Sequence, residues 1–214
     1  MKLYGYFRSS AAFRVRIALN LKNLAYETAS IHLRRNEQAR PEYLATNPQG
    51  LVPTLELDDG RRLIQSLAII EYLDETFSDP PLLPRAAAER ARVRGLAEIV
   101  ACDIHPINNL RVLRYLAHAL GQDEAAIGAW YNHWIAAGFA ALEPLLAGDR
   151  STGEFCHGDV PGLADVALVP QVVNAERYRL DMAPYPTIAR IHRSCMGLAP
   201  FAAAHPDNQP DREN

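Results

Sequence analysis

The chain has 214 residues, 49% hydrophobic and 22% charged, with a formal net charge of −3. That length carries one large domain or two small ones, and the proportions are those of an ordinary soluble globular protein. The acidic balance argues against a nucleic-acid surface, and no apolar run is long enough to span a membrane.

The chain begins directly with a strand-like Lys2-Leu3-Tyr4-Gly5-Tyr6, which speaks against a signal peptide and leaves the cytoplasm as the expected location. Residues 3–6 alternate as a short strand. Phe7-Arg8-Ser9-Ser10 follows, and then a helix from about Ala11. On that helix Ala11, Val15, Ala18 and Leu19 share a face, and the spacing turns Arg14, Arg16, Asn20 and Lys22 away from it. Ser10 is the expected helix cap. Ser9 is better placed to point into a cleft, beside the positive helix end. Residues 25–31 form a second strand and 42–45 a brief helix.

The stretch 47–73 is the most informative. A turn, Asn47-Pro48-Gln49-Gly50, leads to Val52-Pro53 and a short apolar run. Asp58-Asp59-Gly60 is a hairpin signal, because Asp-Gly tolerates the positive φ of a tight turn. A second short strand ends at Gln65-Ser66, where a helix-period run begins, so Ser66 sits where an N-cap belongs. Free N–H groups at such a helix start receive a carboxylate. Pro53 is either at a sheet edge or in a cis bond; the latter would leave the backbone of Val52 facing outward, open to a peptide ligand. An ordinary hairpin and capped helix account for the same residues.

Three prolines within residues 78–84 mark a linker. The expected organisation is an α/β domain over 1–78, a linker at 79–85 and an all-helical domain over 86–214. A helical pattern covers 86–120, with a kink expected at His105-Pro106. His105 and Asn108, three apart, would share a helix face. A second pattern covers 123–147, with Ile127, Trp130, Trp134 and Leu142 as its apolar face and both tryptophans in the core. Helices over 163–173 and from Pro186 to Gly197 follow, and the polar tail from His205 is expected on the surface. Cys102, Cys156 and Cys195 form neither a disulfide framework nor a zinc pattern, and His118, His133, His157 and His192 lack metal spacing, so no metal is expected.

The stretch 47–73 resembles the glutathione-binding half of the cytosolic glutathione transferases, with their thioredoxin-like N-terminal and all-α C-terminal domains. Arg8-Ser9-Ser10-Ala11-Ala12-Phe13-Arg14-Val15-Arg16-Ile17-Ala18-Leu19 resembles the zeta class, whose motif is Ser-Ser-Cys-x-Trp-Arg-Val-Arg-Ile-Ala-Leu. The likeness continues through residues 103–113, Asn174-Ala175-Glu176-Arg177-Tyr178, Pro184-Tyr185-Pro186 and His205-Pro206-Asp207-Asn208-Gln209-Pro210-Asp211. It implies that glutathione is the cofactor. Val52, next to Pro53, would pair with its cysteinyl backbone. Gln65 and Ser66 would hold its γ-glutamyl carboxylate, with His32 and Gln49 at the glycyl end. Ser9 would stabilise the thiolate. His105, Asn108 and Asn109 match polar positions that reach glutathione or substrate, although His105 equally suits carbonyls freed by Pro106.

The class includes maleylacetoacetate and maleylpyruvate isomerases. In the implied reaction a thiolate adds to a cis-enedione acid, the new single bond rotates, and expulsion of the thiolate leaves the trans acid. Cations must then hold the carboxylates of a small dicarboxylate. Arg8, beside Ser9, and Arg177, matching a zeta arginine, are the first choices, and Arg111 is a third. Ala11 replaces the motif's cysteine, which excludes a protein thiol there and tilts the reading towards maleylpyruvate. Gly162-Leu163-Ala164-Asp165 replaces the usual Ser/Thr-x-x-Asp cap, which concerns folding. The resemblance also implies a homodimer. The alternatives are a transferase or peroxidase acting on apolar electrophiles, and a non-catalytic binding module.

Overall fold

The computed structural model describes residues 1–213. The chain divides into two units. Met1–Pro81 forms the first together with the chain from Met196 onward, and Leu82–Cys195 forms the second. The division falls inside the proline-rich linker. The return of the last residues to the first unit corrects the expected assignment of 86–214 to a single helical domain. Side chains near the N-terminus find hydrogen-bond acceptors in this last segment, and its helix packs on the first one, as described below.

The first unit has the order β1 (Lys2–Gly5), α1 (Ser10–Leu21), β2 (Glu27–Ser30), α2 (Pro41–Leu44), β3 (Thr54–Glu56), β4 (Arg62–Ile64) and α3 (Ser66–Thr76). The strands form one sheet in the order β2-β1-β3-β4, with β1 and β2 parallel and the other pairs antiparallel. This is the expected βαβ–ββα, thioredoxin-like arrangement. Gly60, at φ 84°, makes the β3–β4 turn where Asp-Gly predicts it.

α1 differs from expectation. It is not amphipathic: residues 12–19 are all buried, Arg14 and Arg16 among them, and Lys22 just beyond the helix is buried too. Lys22 and Arg16 are met by specific acceptors. The ammonium of Lys22 donates to Asp74 Oδ1 (2.9 Å) and to the carbonyls of Phe77 (2.6 Å) and Pro80 (2.8 Å), which uses all three of its protons. Arg16 Nε donates to the carbonyl of Ala204 at 3.0 Å, and Asn20 to that of Pro200 at 3.0 Å. Both acceptors lie within α9 (Ala199–Ala204), near its start and at its end, and this helix packs on α1 with Phe201 fully buried. The tail after His205 lies at the surface as expected, with none of residues 205–213 buried, and it is tied down there: Asp211 accepts from the N–H of Phe7 and the hydroxyl of Ser30, both at 3.0 Å.

The second unit is helical: α4 (Ala87–Glu98), a π-helical segment (Ile99–Ile104), α5 (Leu110–His118), α6 (Glu124–Ala147), α7 (Leu163–Arg177) and α8 (Pro186–Met196), the last reaching one residue past the division. Pro106 does not merely kink a helix. The preceding turn widens into the π segment, residues 105–109 form a turn, and Asn109 restarts the helix by capping the N–H of Arg111 at 3.1 Å. At Gly138 a Cβ would collide with Ile104, so α6 approaches the π segment only with glycine there. The buried stripe of α6 is Tyr131, Ile135, Phe139, Leu142 and Leu146. Trp130 and Trp134 lie beside that stripe, half-buried and edge-on at 5.6 Å, which corrects their assignment to the core.

α7 is buried along most of its length. Asp165 ties down its start: Oδ1 accepts from the N–H of Cys156 at 2.8 Å and Oδ2 from that of Gly162 at 2.9 Å. Glycine stands at position 162 for a steric reason, since a Cβ would meet the carbonyl of Leu82 at 2.8 Å. Asp165→Ala leaves two N–H groups without acceptors and should lower stability by about 2–4 kcal/mol. Urea unfolding reads this, and an unchanged midpoint would mean that Asp165 does not hold the helix start.

Candidate functional site

The first element of the site is the loop between β1 and α1, which is gripped from two sides. Arg16, only 3% exposed, donates through its terminal nitrogens to the carbonyls of Tyr6 (3.5 Å) and Phe7 (3.1 Å). Asp211 takes the N–H of Phe7, and the N–H of Ser9 turns back to the carbonyl of Tyr6 at 2.9 Å. Burial lowers the pKa of Arg16 to about 10, which leaves it charged at neutral pH. The loop thus presents Arg8, exposed and lying over the ring of Phe7 at 5.4 Å, and then Ser9. Ser9, not Ser10, is the N-cap of α1: its Oγ accepts from the N–H of Ala12 at 3.2 Å. The cap uses a lone pair and leaves the hydroxyl proton available to donate. Ser10 is buried as the first residue of the helix.

The second element is the run from Asn47 to Ser66. Asn47, 1% exposed, donates to the carbonyl of Leu51 at 2.8 Å and accepts from the N–H of Gln49 at 3.0 Å. The hydroxyl of Tyr43 donates to the same carbonyl at 2.6 Å. Held this way, the loop delivers Val52 and Pro53 through a cis peptide bond. Among the described residues, no group pairs with the N–H or C=O of half-buried Val52.

Gln65 and Ser66 lie at the start of α3, which begins one residue earlier than expected. Gln65 is the N-cap and Ser66 the first helical residue. The backbone of Gln65 has φ 69° and ψ 118°, a conformation L-residues rarely adopt, at a cost of about 1–3 kcal/mol. Its side chain does not cap the helix; it reaches Gln49 at 3.0 Å and brings together two residues singled out from the sequence. Ser66 is 7% exposed and its Oγ accepts from Arg14 at 3.3 Å.

His32 is already engaged. Its Nδ1 accepts from the N–H of Arg35 at 3.1 Å, so Nε2 carries the proton and donates to Glu213 at 2.9 Å. Arg35 also reaches Glu213, at 2.6 Å. The bond from His32, with Arg35 adding to it, holds the Glu213 carboxyl below its usual range.

In the second unit, His105 ends the π segment, with its N–H on the carbonyl of Val100 at 2.9 Å. Because residues 105–109 form a turn, His105 and Asn108 do not share a helix face. Asn108 is buried and donates to the carbonyl of Tyr131 at 3.0 Å, while its buried Oδ1 has no hydrogen-bond partner among the described residues. Tyr131 stacks on Tyr178 with ring centres 3.7 Å apart, and the guanidinium of Arg177 lies over the Tyr178 ring at 5.3 Å. Burial pushes the Tyr131 phenol up to about 12, partly offset by Arg177. Asn108 and Arg177 are thereby joined through two tyrosines, a link that sequence spacing does not reveal. Asn109 is occupied as a cap, and Arg111 is exposed in the first turn of α5.

Sequence reasoning missed Arg14, Arg16 and Tyr131 as supports, as well as the two carboxylates of the tail. All three cysteines are free thiols; burial pushes Cys156 and Cys195 far up, so neither serves as a nucleophile at neutral pH. The first unit therefore provides a donor hydroxyl at one helix end, an unpaired backbone segment and a second helix start above a buried cation. This combination suits a small anionic peptide that brings its own nucleophile. No helix among the described residues is long and apolar enough to cross a membrane.

Comparison with known proteins agrees with this chemistry. Residues 3–81 match the family model of the glutathione S-transferase N-terminal domain. The chain is 52% identical over 212 residues to a maleylpyruvate isomerase of a Ralstonia species, covering 99% of each. It is 53% identical over 211 residues to a probable maleylacetoacetate isomerase of Vibrio cholerae, covering 98% of this chain and 97% of the other. Among solved structures it resembles a holo maleylpyruvate isomerase, described as a bacterial glutathione S-transferase of the zeta class. The TM-score is 0.97 at 51% identity, with both chains fully covered. It also resembles the maleylacetoacetate isomerase of Anaeromyxobacter dehalogenans with dicarboxyethyl glutathione and citrate in its active site. Here the TM-score is 0.88 at 46% identity, covering 100% of this chain and 97% of the other.

Proposed function

The chain belongs to the zeta class of the glutathione transferases, and we infer that it is a glutathione-dependent cis–trans isomerase converting a maleyl diketo acid to its fumaryl isomer. The observation that carries this reading is the full-length match to maleyl-acid isomerases in a chain that also presents Ser9, Val52 and Ser66 in usable form. The residues fit glutathione. The unpaired backbone of Val52 suits its cysteinyl unit, and the start of α3 at Gln65 and Ser66 suits its γ-glutamyl carboxylate. Its glycyl carboxylate would take the place of Glu213 on His32, beside Gln49. When bound, glutathione supplies the thiolate that adds to the polarised double bond and leaves after rotation.

The protein's part is to bind, to orient and to lower a pKa. Ser9 donates its hydroxyl proton to the sulfur, and the N-terminus of α1 adds positive potential, so the thiolate is favoured. Arg8 and Arg177 hold the substrate's carboxylates, with Arg111 a third cation. His105 contacts glutathione or substrate. Asn108 steadies the Tyr131–Tyr178 stack beneath Arg177, and Asn109 fixes the start of α5. Ala11, in place of cysteine, makes maleylpyruvate the first substrate to try; overall identity, at 52% and 53%, does not separate it from maleylacetoacetate. The same reading makes the protein a cytoplasmic homodimer.

With glutathione present, purified protein should bleach the enedione absorbance of maleylpyruvate; inertness towards both maleyl acids, with ready conjugation of a chloroaromatic, would overturn the isomerase reading. Ser9→Ala should move the acid limb of the kcat/KM profile to higher pH, by about one unit, and slow turnover roughly tenfold at pH 7. A profile that stays in place would remove the thiolate role of Ser9. Arg177→Ala should raise KM for the diacid by about 10- to 100-fold, as expected for a lost charge-assisted hydrogen bond, with little change for glutathione. Equal effects on both would exclude the clamp.

A further inference from the structure

We infer that Arg14 is a positioning residue for glutathione: acting through Ser66, it prepares the start of α3 for the α-carboxylate of the γ-glutamyl group. This rests on the glutathione reading above and adds to it a residue that contacts no ligand.

Arg14 is 1% exposed and lies on α1 where that helix packs against α3. Burying a guanidinium is costly, and an apolar side chain of similar size would fill the same space without that cost. Its placement is therefore informative. One terminal nitrogen of Arg14 donates to Ser66 Oγ at 3.3 Å, within the first turn of α3. A guanidinium has only donors, so Ser66 can only accept from it. With a lone pair of Oγ committed inward, the hydroxyl proton is left to point outward, as a donor.

The rest of the turn is arranged to match. Gln65 offers no side-chain cap, and Ile69 is the first residue of α3 whose N–H reaches a backbone acceptor, the carbonyl of Gln65 at 2.9 Å. The unusual backbone of Gln65 directs its side chain to Gln49 and away from the capping position. An uncapped helix start, a hydroxyl oriented outward and a buried positive charge behind it all favour one ligand group, a carboxylate. Sequence periodicity conceals this role because it turns Arg14 away from the apolar face of α1.

The test compares two peptides by isothermal titration calorimetry: glutathione, and γ-aminobutyryl-cysteinyl-glycine, which lacks only the α-carboxylate. Wild type should prefer glutathione. Arg14→Met should weaken glutathione about tenfold or more and the analogue hardly at all, so that the preference collapses. A purely structural role would weaken both peptides alike, and that result overturns the inference, as does an unchanged preference. If Arg14→Met does not fold, Arg14→Gln carries the test, since it removes the buried charge at similar side-chain length. Its loss of the same preference supports the inference, and a retained preference overturns it. Wild type that binds neither peptide removes the glutathione reading itself, whereas wild type with the preference and a variant that keeps it removes only the role of Arg14.

Discussion

Three cations buried along one helix set the geometry of the first unit. Arg14, Arg16 and Lys22 all project from α1 or its end into the interior, each ending on named acceptors. A cation removed from water must be compensated locally or the structure is lost. That requirement makes their positions strict. Lys22 closes the end of α3 onto the linker, Arg16 sets the loop before α1, and Arg14 supports the start of α3. One helix thus controls both helix starts that the site uses.

The same constraint explains why the site needs so few reactive side chains. Ser9 is held by its own capping bond and by the grip of Arg16 on the loop that precedes it, so its hydroxyl proton stays available to donate. The loop ending at Val52 is held by Asn47 and Tyr43, which leaves Val52 itself unengaged. Glutathione transferases supply binding and orientation around a nucleophile that arrives with the cofactor, and rigidity of this kind is what such a division of labour requires.

The parts of the site legible in the sequence are those whose signals are local. Val52-Pro53, the Asp-Gly hairpin and Gln65-Ser66 declare themselves within a few residues, because turn and cap chemistry is short-ranged. Arg14 and Arg16 did not, since hydropathy treats every cation as outward-facing and the acceptor of Arg16 on Ala204 lies 188 residues away. The engagement of His32 by Glu213 spans 181 residues and was equally hidden. Near Pro106 the break itself was foreseeable, but neither the π turn before it nor the close approach of α6 to Ile104 at Gly138 has a local sequence signal. On α6 the bulky tryptophans drew the predicted stripe one position away from Tyr131 and Ile135.

The return of the C-terminal segment to the first unit also bears on the order in which the protein can be made. The acceptors for Phe7, Arg16 and Asn20 lie 204, 188 and 180 residues further along. On a ribosome, the loop that carries Ser9 therefore waits for almost the entire polypeptide to emerge before it can be locked. The helical unit, whose segment is continuous, has all its residues available earlier. The half of the protein translated first is thus the half that is completed last.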